Sequence, residues 1–410
     1  MKYMRYEYEN DKKFNSVEVT LAMGCKLNCR FCPQKKLLNR YFSDNKIRDS
    51  IMSMEVFKRI LTQVKRGGTI CFSGMCEVFH NPNCAKMIKY AFENGYRISL
   101  LTTLIGASIE DLEYLKDVEF DEITLHIPDD KGNSKFIITD KYLEIVSKFQ
   151  QMFSVTNYSC HGNIHPDVKN IIDTNLFVGK TMNNRAGNLS EGEEVYSNGE
   201  IVCMVGTNAG LGNWAPEILP DGTVILCCMD YGMQYVLGNI VEMTADEILR
   251  GKAYQDVLKG MKCEESNILC RQCIAARNKS MIPAYQLKKM LSDYKNNRCL
   301  NLNNEQKSIL SKLSNAKYIC IFGLGKLFWD NFYNQRWNEA FDNIIFSDNA
   351  ENMWGKEIRG KICISPKELI NYDNLLIITH IKDDSKLRIE LDELKLNNII
   401  SINDIYSMFK

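Results

Sequence analysis

The 410-residue chain is 45% hydrophobic and 25% charged, and its 51 basic and 51 acidic residues cancel. That composition fits a globular protein long enough for two or three domains, and the neutral balance excludes an overall field that would gather nucleic acid or an acidic membrane surface. The opening MKYMRYEYENDKKF has no signal-peptide apolar core and no window has the apolar length of a membrane helix, so the expected location is the cytoplasm, with neither nucleic acid nor membrane as partner.

Disulfides rarely persist in that compartment, so 16 cysteines with close spacings point to metal or redox work. Cys71, Cys320 and Cys363 lie inside apolar runs and read as ordinary core residues. In chain order, the first strand pattern is SVEVTLAM, followed directly by GCKLNCRFCPQ, where Cys25, Cys29 and Cys32 fall within eight positions. Helix patterns SMEVFKRILTQVKR, NCAKMIKYAFENG and DKYLEIVSKFQQMF then alternate with strand patterns TICFSG, RISLLTTL, EITLHI, SVTNYSC and NLFVGKTM. Repeated strand–helix units imply a parallel sheet, and six strands are too few for a closed eight-stranded barrel. Chemistry in such folds gathers at the C-terminal strand ends, where the cysteine cluster sits.

From residue 184 to 280 the chain is rich in Gly, Asn and Cys, with a hairpin pattern in EILPDGTVILCC and one helix in TADEILRGKAYQDVLKG. Residues 281–316 read as a Lys- and Asn-rich helical connector. From 317 to 410, YICIFGLG, NIIFSD, NLLIITH and NIISI describe a compact α/β domain of Rossmann type. The expected architecture is therefore a barrel-like domain over 1–183, a cysteine-rich module over 184–280, the connector, and the C-terminal α/β domain.

Three thiolates at CxxxCxxC spacing can wrap one compact centre. A closed zinc site needs a fourth Cys or His nearby, and the next histidine, His80, lies 48 residues beyond Cys32. A cubane iron-sulfur cluster held by three cysteines leaves one iron open, which is what a reactive centre requires.

With Phe31 just before the third cysteine, CKLNCRFC resembles the signature of radical S-adenosylmethionine (SAM) enzymes. The resemblance implies an α/β fold, a partial (β/α)6 TIM barrel, with a 4Fe-4S cluster on Cys25, Cys29 and Cys32. It also implies that SAM chelates the open iron and is cleaved to a 5′-deoxyadenosyl radical that abstracts hydrogen from substrate. The reducing partner would be a flavodoxin or ferredoxin. Gly74, Met75, Cys76 and Glu77 in FSGMCEVF resemble the family's glycine-rich SAM-binding motif, which often has Gly at the place of Cys76 and Pro at that of Val78. Thr102, Thr103 and His126, ending the third and fourth strands, match positions from which polar residues of the family reach SAM.

Cys203, Gly222-x4-Cys227 and Cys270-x2-Cys273, with VLGNI between, resemble the SPASM module or its shortened form, twitch. The next cysteine after Cys273 is Cys299, so the longer SPASM pattern fails. A twitch module then implies one auxiliary 4Fe-4S cluster on Cys203, Cys227, Cys270 and Cys273, with Cys228 and Cys263 as rivals and zinc as the alternative metal. A fully ligated second cluster can exchange an electron with a substrate radical, so dehydrogenation or epimerisation of a small molecule is expected. Net oxidation needs a base, for which Asp129, Asp130, Asp230 and His161 are unranked candidates. Arg185 in NNRAGNL can clamp a phosphate or carboxylate, or make a structural salt bridge.

FGLGKLF and Asp348 outline a dinucleotide fingerprint, but Phe328 replaces the third glycine, so NAD is not expected. The run FSDNAENMWGKEIRGKICISPKEL resembles small domains attached to sugar-modifying transferases, which points to a carbohydrate or nucleotide-linked substrate, or to a scaffold or dimerisation role. Two alternatives stay open: a maturase of a ribosomal peptide, and a non-enzymatic zinc scaffold. Maturases often carry a leader-binding domain, for which the roughly sixteen residues before the first strand leave no room.

Overall fold

The structure, a computed structural model, describes residues 12–43, 48–180, 182–192, 194–203, 215–279, 282–296, 302–329, 340–341, 343–358, 360–381 and 383–408. Cys299 lies outside them. The chain divides into two compact units, Met1–Arg277 and Asn278–Lys410.

In the first unit, strands β1 (Phe14–Val19), β2 (Val64–Phe72), β3 (Arg97–Thr102), β4 (Glu122–His126), β5 (Asn157–Cys160) and β6 (Phe177–Gly179) lie side by side in chain order, all parallel. This matches the sheet of a radical SAM partial barrel. Val17, Val19, Ile70 and Phe72, at alternate strand positions, are fully buried against the surrounding helices. Helix Asp140–Met152 starts at Thr139, whose side chain accepts the Tyr142 N–H, and buries Ile145, Val146 and Phe149 along one face.

The sheet does not stop at β1. After β7 (Ile201–Cys203), a hairpin of β8 (Glu217–Ile218) and β9 (Thr223–Ile225), continued by β10 (Val236–Asn239), extends it, with β8 parallel to β1 and β9 and β10 antiparallel. The boundary expected at 183/184 is therefore not a break between compact bodies, because main-chain hydrogen bonds such as Glu18 N to Pro216 O (2.9 Å) join the segments.

Two helix expectations are corrected. SMEVFKRILTQVKR is helical only over Met54–Thr62, capped by Ser53, and Val64 already opens β2. Sheet pairing of Phe14 with Val64 overrides a local pattern that runs on as helix. TADEILRGKAYQDVLKG forms two helices, Ala245–Arg250 and Lys252–Lys262, parted at Gly251, where ψ is 146° and the backbone is extended.

The second unit holds strands in the order Glu357–Ile358, Lys361–Ile364, Ile344–Ser347, Tyr318–Phe322, Leu375–Thr379 and Ile399–Ser401, all parallel except the first. Crossing outward in both directions from the first strand in sequence is the pattern of doubly wound sheets. The expected helical connector forms helices Ile282–Lys295 and Asn304–Asn315, but it is part of the second unit's core: Leu287, Leu291, Leu310 and Leu313 are buried with Ile319 and Ile321. An apolar stripe on each helix is what draws them onto the sheet. The Asp348 carboxylate, which a dinucleotide fingerprint would turn to a ribose, accepts the Leu324 N–H at 2.6 Å.

Among the described residues no helix is long and apolar enough to cross a membrane.

Candidate functional site

The loop after β1 is fixed by its backbone. Cys25 N–H donates to Gln34 Oε1 (2.9 Å), and Gln34 Nε2 donates to Met75 O (3.3 Å), tying the loop to the end of β2. Arg30 N donates to Asn133 O (2.8 Å), Cys32 N closes a turn on Cys29 O (3.1 Å), and Asn28 takes a left-handed φ of 42°. Cys25, Cys29 and Cys32 lie within one another's electrostatic reach and all are partly open to solvent. Burial pushes the Cys29 thiol up to about 11, and raises Cys32 against the hydrogen bond to Tyr231 and the Arg185 charge. A hydrogen bond from Cys76 brings Cys25 down to about 7. Three sulfur donors within reach of one another on one loop suit an iron-sulfur cluster.

The fold adds a neighbour that spacing along the chain hides. Ligating atoms of Cys25, Cys76 and His80 all lie within 4.8 Å of one another, and Cys76 Sγ is 3.6 Å from His80 Nδ1. The signal present in the sequence is Cys76-x3-His80 beside a strand end.

Gly74 has a φ of +73°, and a Cβ there would fall 2.7 Å from Glu217 Oε1 and still closer to Thr20 Oγ1, so only glycine fits. Met75 N donates to Thr20 Oγ1 (2.9 Å), and the Met75 side chain is buried among Leu37, Tyr41 and Tyr231. Glu77 is buried at the centre of a latch. Oε1 accepts Thr102 Oγ1 (2.5 Å) and Phe79 N (3.3 Å), and Oε2 accepts Thr103 N (2.7 Å) and Thr103 Oγ1 (2.5 Å). Three sequence-predicted residues thus meet, and internal donors already occupy both carboxylate oxygens. Burial raises the Glu77 pKa despite these bonds. Glu77→Ala strands four buried donors and is expected to cost about 3–5 kcal/mol, with Glu77→Gln costing less, as thermal unfolding of the apoprotein would register.

Cys203, Cys227, Cys270 and Cys273 form a second group. Cys227 lies in the electrostatic reach of the other three, burial drives its thiol well above the usual range, and burial takes Cys270 to about 12. Such a set suits a fully ligated four-sulfur centre. The two rivals are turned elsewhere: exposed Cys263 donates to Glu265 Oε2 (3.2 Å), and Cys228 is hydrogen-bonded to Glu18 in the barrel. Between Cys270 and Cys273, Arg271 is 1% exposed, and its guanidinium donates to the carbonyls of Ser197 (2.7 Å), Gly199 (2.9 Å), Gly260 (3.0 Å) and Cys263 (2.6 Å).

At the barrel mouth, His126 Nδ1 lies 2.7 Å from Ser159 Oγ, and burial, then the Lys180 and Arg185 charges, bring its pKa down to about 3. His161 stacks on Phe31 with ring centroids 3.8 Å apart, its Nδ1 buried without a hydrogen-bond partner; burial and the Arg185 charge lower it to about 4. Both imidazoles are therefore neutral at pH 7. Arg185, at φ 49°, donates Nε to Phe31 O (3.1 Å) and lies in reach of Cys29, Cys32, Cys228 and Cys273. Lys180, just past β6, was not singled out in the sequence; the residue is exposed overall, and desolvation by its surroundings with the Arg185 charge lowers it to about 8.

The candidate carboxylates are engaged in loop contacts, although the Asp129 charge also reaches His161. Asp129 accepts the backbone N–H groups of Lys131, Asn133 and Ser134 at 2.9–3.0 Å, and Asp230 those of Gln234 (2.8 Å) and Tyr235 (2.9 Å), so both staple loops. Asp130 binds Asn163 at the surface.

Comparison with known proteins finds two family models along the first unit. Residues 19–167 match the family model described as the radical SAM superfamily, and residues 212–274 the model of SPASM, an iron-sulfur cluster-binding domain. The chain therefore carries a radical SAM domain and a SPASM domain, and with them the cofactors SAM and 4Fe-4S clusters. No curated protein matches. Similar solved structures include BtrN in complex with AdoMet and 2-DOIA (17% identity, 64% of this chain and 96% of that one, TM-score 0.41). Others are Streptococcus suis SuiB bound to precursor peptide SuiA (14%, 64% and 72%, TM-score 0.44) and anSMEcpe with bound AdoMet (15%, 63% and 86%, TM-score 0.40).

Proposed function

We propose that this chain is a radical SAM oxidoreductase of a sugar-like or nucleotide-linked small molecule, with one cluster held by Cys25, Cys29 and Cys32 and a twitch-type auxiliary cluster held by Cys203, Cys227, Cys270 and Cys273. The observation that carries this reading is the position of Arg185, which lies in the electrostatic reach of Cys29 and Cys32 from one group and of Cys273 from the other. One charge within reach of both sulfur sets supports a shared site. With SAM bound, the first cluster would supply a 5′-deoxyadenosyl radical for hydrogen abstraction, and the second would supply an electron acceptor or donor.

The chain's own residues do the rest. The Glu77 latch holds the ends of β2 and β3 at fixed distance, shaping the floor on which SAM is to lie. Phe31 and His161 stack across the rim, and the neutral His126 and His161 can accept a proton that a cationic imidazole could not. Arg185 offers a fixed positive charge for an anionic group of the substrate. The C-terminal unit is read as a Rossmann-like domain with a scaffold or dimerisation role, its Asp348 already engaged.

Anaerobic reconstitution tests the reading. The wild-type protein is expected to bind roughly eight irons per chain, and Cys203→Ala with Cys270→Ala roughly four, while the double variant still forms 5′-deoxyadenosine from SAM and dithionite. Zinc in place of iron in the second group, or four irons in the wild type, would refute it.

A further inference from the structure

Strand register places Glu217 of β8, Glu18 of β1, Cys71 of β2, Ser99 of β3 and Glu122 of β4 in one row across the sheet. In-register residues of parallel neighbours share a face. The alternate positions, Val17, Val19, Ile70 and Phe72, pack against the helices, so the row faces the barrel lumen. Closed barrels fill that space with branched apolar side chains. Here it presents three carboxylates.

Two of these are direct neighbours. Glu217 is fully buried: Oε1 accepts Thr20 Oγ1 at 2.6 Å, and Oε2 has no hydrogen-bond partner. Glu18 accepts the Ser73 hydroxyl and Gly74 N (3.2 Å). The groups acting on Glu217 are its burial, the Glu18 charge and Thr20, with no cation among them, and no salt bridge forms to either glutamate among the described residues. A second observation points the same way. Ser99, 1% exposed in the same row, has a buried hydroxyl with no partner. Buried polar atoms in native proteins nearly always find partners, and paired buried carboxylates call for a counter-charge.

We propose that Glu18 and Glu217 bind a protonated amine of the substrate, which is therefore an amine-bearing polyol or amino sugar, not a neutral one. An ammonium brings three N–H donors and the missing positive charge. Hydroxyls of the same molecule are matched by Ser99 on the row. The carboxylate that completes the pair is brought in by β8, ten residues before Cys227, so the cysteine-rich module contributes to substrate recognition as well as to the second sulfur group. This inference rests on the radical SAM reading of the same barrel.

The test uses anaerobically reconstituted holoenzyme with SAM and no reductant, titrated calorimetrically with D-glucosamine, N-acetyl-D-glucosamine and D-glucose. Glucosamine is expected to bind at least about tenfold more tightly than the other two, the size of one charge-assisted hydrogen bond set. The gap should close in Glu217→Gln and Glu18→Gln variants whose circular dichroism matches the wild type. Equal affinities, no binding of glucosamine by the wild type, or selectivity that survives both substitutions would overturn the proposal. The three-sugar comparison on the wild type stands even where a variant does not fold. Formation of 5′-deoxyadenosine by the wild type is read separately: its loss strikes the radical SAM reading, whereas its presence without amine preference strikes this inference alone.

Discussion

Alanine in place of Cys25, Cys29 or Cys32 is expected to take 5′-deoxyadenosine formation below detection while leaving the apoprotein folded. The loss should exceed the roughly 10–100-fold that removal of an outer-shell partner costs a metal site, because a cluster deprived of one of three sulfur ligands is not retained. The fold should tolerate the change, since the loop is held through the backbone of Cys25, Arg30 and Cys32 and through Gln34, none of which uses a thiol. Apoprotein stability should then shift by under about 1 kcal/mol, measured by denaturant unfolding. Cys76 and His80 supply the control, because they crowd Cys25. Cys76→Ala should retain the iron content of this cluster. Iron loss as deep as in Cys25→Ala would mean that Cys76 is itself a ligand and that no coordination position is left for SAM.

That control exists only because the fold revealed it. CxxxCxxC is legible because its meaning is local, one loop aiming three sulfurs, and the latch of Glu77 with Thr102 and Thr103 is legible as residues ending consecutive strands. His80 looked remote from Cys32 in sequence, and only the turn after β2 brings it to Cys25. Glu18 and Glu217 stand nearly two hundred residues apart, and their pairing depends on β8 joining β1 in one register, which no single-strand pattern encodes. The available signal was a charged residue within or opening an apolar strand, Glu18 in SVEVTL and Glu122 in EITLH. Asp129 and Asp230, read as candidate bases, show the reverse case: short carboxylates in turns are engaged by nearby backbone N–H groups. The helix pattern around Thr62 was read too long because tertiary strand pairing outweighs local propensity, whereas the helices of 281–316 were legible and only their packing onto the second sheet was not.

Arg271→Ala is expected to destabilise the first unit by about 4 kcal/mol, lowering its melting temperature by roughly 10 °C, and to cost the second sulfur group its iron before the first. The Arg271 guanidinium, 1% exposed and with no salt bridge among the described residues, is solvated by the carbonyl oxygens around it. Gly260 and Cys263 lie at the C-terminal end of helix Lys252–Lys262, where exposed carbonyls and the negative end of the helix dipole favour a cation. Ser197 and Gly199 belong to the chain entering β7, which carries Cys203. One side chain therefore fixes the distance between the strand holding Cys203 and the turn holding Cys270 and Cys273. Removing it takes the guanidinium donors away from four carbonyls, of which that of Cys263 keeps the Ser266 N–H, and frees both segments. Arg271→Lys should recover about half the loss, because an ammonium keeps the charge but offers three donors from a point where the guanidinium offers five from a planar fork. Iron counted per chain after reconstitution, alongside the thermal melt, separates the two effects. A variant that melts like the wild type and keeps a full iron complement would show that the carbonyl cage is incidental, and that the second sulfur group is held by other contacts.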